Sequence, residues 1–266
     1  MLLRRRGIWI LALIFLSAGC GLSEYEKRMD RQNVALKRFD EENKALEDPL
    51  DAPMFVDPKA PIGQAVLPVE FYLRPPKGTV IKAKDLEEPK PGKFVLVHYP
   101  GPAGFNVLVT TGKTPADEKN PKPKEMTPKE FQHRVRQALA GFYQMEYKKP
   151  FDFSKFEKTE KKTIPSVSAK GAPINLNFDY QAITDDPDPG RKNTAKDPKD
   201  KSADPYHDFR LYFYQTAGEQ AAIIYEMPAA KRNDGEANLK VDFSIRSLAL
   251  GADAMIKRHN YRKHKR

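Results

Sequence analysis

Apolar residues recur along the chain at several spacings, and each spacing predicts a different element. Leu22, Tyr25, Met29, Gln32, Leu36, Phe39, Asn43 and Leu46 follow one another at alternating intervals of three and four. This is the a/d register of a heptad, with Gln32 and Asn43 as polar exceptions. It predicts a long N-terminal helix over Leu22 to Glu47, stopped at Asp48-Pro49. A parallel pair would set Glu42 against Glu47 of its partner, and the run is shorter than about four heptads, so the spacing favours a spacer helix over a coiled coil. Residues 49–68 are rich in proline and predict an extended linker, docked through Met54, Phe55 and Val56.

From Val69 the period changes to two. Val69, Phe71 and Leu73 alternate with Glu70 and Tyr72 and predict a strand. Lys93–Tyr99 and Phe105–Thr111 flank P-G-P-A-G and predict a hairpin, apolar on both faces and therefore covered on both. Thr127, Pro128 and Glu130 open a helix to Tyr147 with a capping box; Phe131, Val135, Ala138, Leu139 and Phe142 form its apolar face, with Lys129, Arg134 and Arg136 off it. Ile174–Thr184 alternates cleanly as a strand. Phe209–Gln215 and Gln220–Met227 flank T-A-G-E as a second hairpin. A closing helix is expected over Asn238–Leu250, stopped by Gly251. Residues 112–126 and 185–208 are expected as mobile charged loops, and 251–266 as a basic tail. The fold class is therefore α+β, with an antiparallel sheet and flanking helices in domain 69–250.

Composition adds a balance of 46 basic to 36 acidic residues, a net charge of +10, and a single cysteine. One cysteine excludes an internal disulfide framework and a cysteine-based zinc site. The tail from Lys257 to Arg266 carries Lys257, Arg258, Arg262, Lys263, Lys265 and Arg266 with no acid. Two readings stand equally: contact with anionic lipid or polymer, at about 1 kcal/mol per cation near a membrane, or a disordered solubilising tail.

Chemistry is sparse. His98, His133, His207, His259 and His264 show no metal-ligand spacing, and the acids around Asp185, Asp186 and Asp188 fail the EF-hand pattern. No nucleophile elbow or phosphate loop is present. Arg210, Tyr212 and Tyr214 share one strand face, which reads as a helix-covered sheet surface rather than a base-stacking platform. The chain is thus read as a non-enzyme with no cofactor, no metal and no nucleic-acid partner. The alternative function is a small-molecule or lipid-binding module, its pocket between sheet and helix lined by Phe131, Phe142, Phe178, Phe209 and Phe213.

The first twenty residues carry a resemblance. Arg4, Arg5 and Arg6 precede nine unbroken apolar residues, Ile8–Leu16, too few for a membrane span, which needs about 20. L-S-A-G-C follows, ending at Cys20, the sole cysteine. This resembles the lipobox of bacterial lipoproteins, with Ser17 where the family usually has Leu. The resemblance implies a signal peptide over 1–19, a lipidated Cys20 opening a 20–48 spacer, and an envelope location facing the periplasm. Gly21 in place of Asp implies the outer membrane over the inner. The stretch from Tyr25 to Asn43 is similar to lipoproteins of planctomycete bacteria. The element order, with V-E-F-Y-L-R-P-P-K-G (Val69–Gly78) and S-I-R-S-L-A-L-G (Ser244–Gly251), resembles the Mog1/PsbP-like α/β/α sandwich, whose members bind partners. The implied partners are the membrane, through the lipid, and an envelope protein or anionic lipid.

Overall fold

The computed structural model describes residues 23–55 (31, 35 and 38 excepted), 64–83, 94–115, 125–187 (157 excepted) and 206–265. The predicted signal peptide, Cys20, Gly21, Val56, Asp188, Arg266 and most of the two charged loops lie outside the described residues. The chain divides into two units, Met1–Ala45 and Leu46–Arg266.

In the first unit the described residues of 23–45 are helical, termed α1. Tyr25, Met29, Leu36 and Phe39 of the heptad stripe are exposed there. The helical stretch ends before Leu46, which is buried in the second unit and bridges to Pro76.

The second unit is α+β. Strands β1 (Met54–Phe55) and β2 (Gln64–Ala65) pair with each other, as do β3 (Phe71–Tyr72) and β10 (Ala249–Leu250). The main sheet contains β4 (Val97–Pro100), β5 (Asn106–Lys113), β6 (Glu160–Val167), β7 (Pro173–Thr184), β8 (His207–Gln215) and β9 (Glu219–Pro228). Its order is β4-β5-β9-β8-β7-β6, antiparallel throughout. Both predicted hairpins are present, with the second extended to His207 and Pro228.

Helix α2 (Pro128–Tyr147) covers one face. The Thr127 hydroxyl accepts the Glu130 amide at 3.3 Å, and Lys148 ends the helix in a left-handed conformation. Phe131, Val135, Leu139 and Tyr143 pack on Leu108, Phe209, Leu211, Phe213 and Ile224. Burying each such side chain stabilises by about 1.5–3 kcal/mol. Two positions differ from the predicted face. Tyr143 replaces Phe142 in the core, and Arg136 is buried rather than off the face. Arg136 is tolerated because its Nε donates to Gln181 and its guanidinium lies 5.5 Å from the Phe213 ring centroid.

Helix α3 (Gly235–Arg246) covers the opposite face through Val241 and Ile245, which pack with Val107, Val109, Ile223, Tyr225 and Tyr212. The Asp234 carboxylate caps it by accepting the Glu236 and Ala237 amides. The predicted stop at Gly251 is corrected. The helix ends at Arg246, Ala249–Leu250 pair with β3, and Gly251 opens α4 (Gly251–Lys265). Gly251 has φ +53°, a left-handed conformation that favours glycine at this junction.

Three further expectations are corrected. The predicted basic tail is helical through Lys265 rather than disordered. Its apolar side, Ala254 and half-buried Tyr261, closes over Tyr72 and Ala249. Tyr72 is thus buried under α4 while Val69, Phe71 and Leu73 join the main core, and the predicted strand Val69–Leu73 is only the two residues of β3. The predicted linker docks at both described ends, because Leu50, Val66 and Leu67 join the core. The part of 49–68 between Phe55 and Gln64 lies outside the described residues. The predicted loops also begin late and end early. Gly112 and Lys113 belong to β5, Glu125 bridges back to Lys113, and His207 and Asp208 belong to β8.

Candidate functional site

The predicted cations do not act as one surface. Helix α4 turns Lys257 and Arg258 inward and carries Arg262, Lys263 and Lys265 on exposed positions. Lys257 Nζ donates to the Ser247 and Leu248 carbonyls at 3.2 and 3.4 Å. Burial lowers its pKa to about 8, while Asp253 nearby works the other way. Arg258 Nη1 donates to the Leu50 carbonyl at 2.9 Å and Nη2 to the Phe71 carbonyl at 2.7 Å. The Glu70 carboxylate stands 3.3 Å from Nη2. These contacts explain why a tail of this composition is ordered: its two inward cations satisfy four backbone carbonyls, two just after α3, one at Leu50 and one in β3.

Arg258, Arg262 and Lys265 nonetheless share one cleft of about 300 Å³ with Asp48, Pro49, Asp51, Ile81 and Tyr261. Asp48 Oδ1 accepts the Tyr261 hydroxyl at 2.7 Å and Oδ2 accepts Lys265 Nζ. These bonds, Lys265 first, hold the Asp48 carboxyl below the usual carboxylate range. The Arg74 guanidinium lies 5.2 Å from the Tyr261 ring centroid. Within the described residues, no hydrogen bond or ion pair engages the Asp51 carboxylate or the Arg262 guanidinium, and both residues are exposed.

A second constellation lies under the C-terminal end of α2, and periodicity did not reveal it. Glu226 is fully buried on the α2 side of β9. Its Oε2 accepts Asn106 Nδ2 at 3.0 Å, and its Oε1 accepts the Tyr147 hydroxyl. His207 Nδ1 lies 3.0 Å from Oε1 at an angle too bent for a hydrogen bond. His98 Nε2 stands 3.0 Å from Asn106 Oδ1, which makes it the donor there. One turn earlier on α2, Tyr143 donates to Asp185. Burial raises the pKa of Tyr143 and Tyr147 above the usual tyrosine value, and the adjacent carboxylates add to it. Both phenols therefore serve as hydrogen donors at neutral pH. The network joins β4, β5, β8, β9 and α2 and holds a buried carboxylate by satisfying both its oxygens. Its one legible signal is the lone charge in the apolar run A-A-I-I-Y-E-M.

The remaining candidates are separated. Phe131, Phe209 and Phe213 pack on the α2 side, with Phe142 half-buried beside them, and Phe178 packs on the α3 side, so the five do not line one pocket. Tyr212 is fully buried, and Arg210 Nε pairs with Asp208 at 3.2 Å, consistent with a covered sheet face. A second cleft of about 290 Å³ opens beside Phe156, Glu160, Tyr180 and Gln181. Among the described residues no group of three or more His, Cys, Asp or Glu stands close enough to hold a metal ion.

No family model and no curated protein matches the chain. Among solved structures, a crystal structure from Bacteroides thetaiotaomicron VPI-5482 is similar at a TM-score of 0.30 and 8% identity, over 67% of this chain. The match spans 44% of that protein's length, and a likeness at this level assigns neither fold nor function.

Proposed function

We propose that this chain is a lipid-anchored protein of a bacterial cell envelope, and that Leu46–Arg266 is a non-catalytic interaction domain displayed by the anchor. The observation that carries the reading is the order of the first twenty residues: Arg4–Arg6, the apolar run Ile8–Leu16, and L-S-A-G-C ending at the only cysteine in the chain. Stable anchoring needs more than one acyl chain, which the resemblance to bacterial lipoproteins supplies at Cys20. Gly21 favours the outer membrane, with the domain facing the periplasm. Among the described residues no helix is long and apolar enough to cross a membrane.

The sheet with α2 on one face and α3 on the other supports the finer resemblance to Mog1/PsbP-like sandwiches, whose members bind partners. Lys263, exposed on α4 and not among the residues lining the cleft beside Arg262, is the residue through which an anionic lipid or envelope polymer would be met. Lys257 and Arg258 are committed to the fold. Radiolabelled palmitate supplied to cells expressing wild type or Cys20→Ala tests the anchor. Label in wild type alone supports it, and equal labelling removes it.

A further inference from the structure

The α4 cleft carries opposite charges in an arrangement that does not depend on whether Cys20 is acylated. Among the described residues, three cations and two carboxylates line it. Lys265 is held by Asp48, and Arg258 is held by Glu70 and two carbonyls. Removing these matched charges leaves one cation, Arg262, and one carboxylate, Asp51, each exposed and without a partner among the described residues. Pro49, Ile81 and the Tyr261 ring supply apolar wall between the charges. The volume, about 300 Å³, stands at the small end of the range for ligand sites, which begins near that figure.

A simple anion would meet Arg262 but face Asp51, and a simple cation would meet Asp51 but face Arg262. Each would leave one charge of the cleft opposed, and like-charge juxtaposition suppresses wrong partners. We propose that this cleft takes a small zwitterion: a phosphate or carboxylate a few bonds from a primary ammonium. Arg262 receives the anion through its planar donors, and Asp51 accepts the ammonium N–H groups. The Tyr261 face packs against the linking carbons. Tyr261 and Lys265 position the site through Asp48, and Arg258 fixes the cleft floor by tying α4 to Leu50 and Phe71. This chemistry has two sources, a phosphoethanolamine lipid headgroup and a free amino acid.

Titration calorimetry of the full chain in a non-ionic detergent tests the proposal with O-phosphoethanolamine and alanine as probes. Ethanolamine, inorganic phosphate and phosphocholine serve as controls. At least one zwitterionic probe binds, and the separate halves bind about tenfold more weakly or worse. Phosphocholine, which has no ammonium N–H for Asp51, is weakened as well. Asp51→Asn and Arg262→Gln each reduce binding by about tenfold or more, with the thermal midpoint unchanged because neither side chain has a partner to lose. Binding of alanine alone assigns the free amino acid. Displacement of O-phosphoethanolamine by phosphatidylethanolamine vesicles, and not by phosphatidylcholine vesicles, assigns the headgroup. Phosphate binding as tightly as O-phosphoethanolamine, binding that survives Asp51→Asn, or no heat from either zwitterion at high millimolar concentration overturns the proposal.

Discussion

Arg258 donates through Nη1 to the carbonyl of Leu50 across 208 positions of sequence, a bond of 2.9 Å that ties the last helix to the first residues of the folded unit. The same guanidinium holds Phe71. Replacing it with Met keeps the stem but leaves two carbonyls without their charged donor. Arg258→Met is expected to lower stability by about 2–3 kcal/mol, measured by urea unfolding. Lys263→Ala, on the exposed side of the same helix, stays within about 0.5 kcal/mol.

Lys257 gives stability a pH dependence of defined sign. Its pKa falls from 10.5 to about 8 on folding, so between those values the unfolded chain binds more protons than the folded one. Stability therefore rises with pH from about 8 toward 10. Urea midpoints across this window are expected to climb in wild type and to stay flat in Lys257→Met. A slope that survives the substitution would assign it to another group.

Above pH 10 the tyrosines reverse that trend. Burial raises Tyr72 and Tyr180 to about 12 and pushes Tyr99, Tyr212 and Tyr225 higher still. Their folded forms keep protons that the unfolded chain releases, so their contribution is full below 10 and is lost as pH rises. Phenolate absorbance is expected to show few tyrosines titrating near 10 and the rest appearing together with unfolding.

Glu226 is expected to be costlier to remove than to neutralise. Glu226→Leu strands two neutral donors, the Asn106 amide and the Tyr147 hydroxyl, and should cost about 2–6 kcal/mol. Tyr147→Phe removes one donor and should cost about 1–3 kcal/mol. A double-mutant cycle on Tyr147→Phe and Glu226→Gln should give a coupling of about 0.5–3 kcal/mol, whereas simple additivity would deny that the pair acts as a unit.

The elements most legible in the sequence are those whose period is set by one covered face. The Thr127 cap and the Phe131–Val135–Leu139 stripe place α2, and the alternation from Ile174 to Thr184 places β7 within one residue. Strand β6 escaped because Lys161, Lys162 and Pro165 suppress the signal. Pro165 is tolerated there because β6 is an edge strand paired only with β7. Helix α4 escaped for a different reason. Its burial depends on Arg258 and Lys257 reaching carbonyls distant in sequence, and polar residues engaged that way have no periodic signature. The cleft was half legible: the cations stood out, but Asp48 read only as a helix stop and Asp51 as part of a linker. Glu226 carried a local signal, a charge inside an apolar strand, but its hydrogen-bond partners Asn106 and Tyr147 come from β5 and α2, distant in sequence.

The lipid anchor is tested most directly by the mass of the N-terminal peptide of the protein isolated from envelope membranes. A lipid-anchored chain gives a peptide beginning at Cys20 and carrying more than one acyl chain. A mature chain beginning at another residue, or Cys20 recovered as a free thiol, would contradict it.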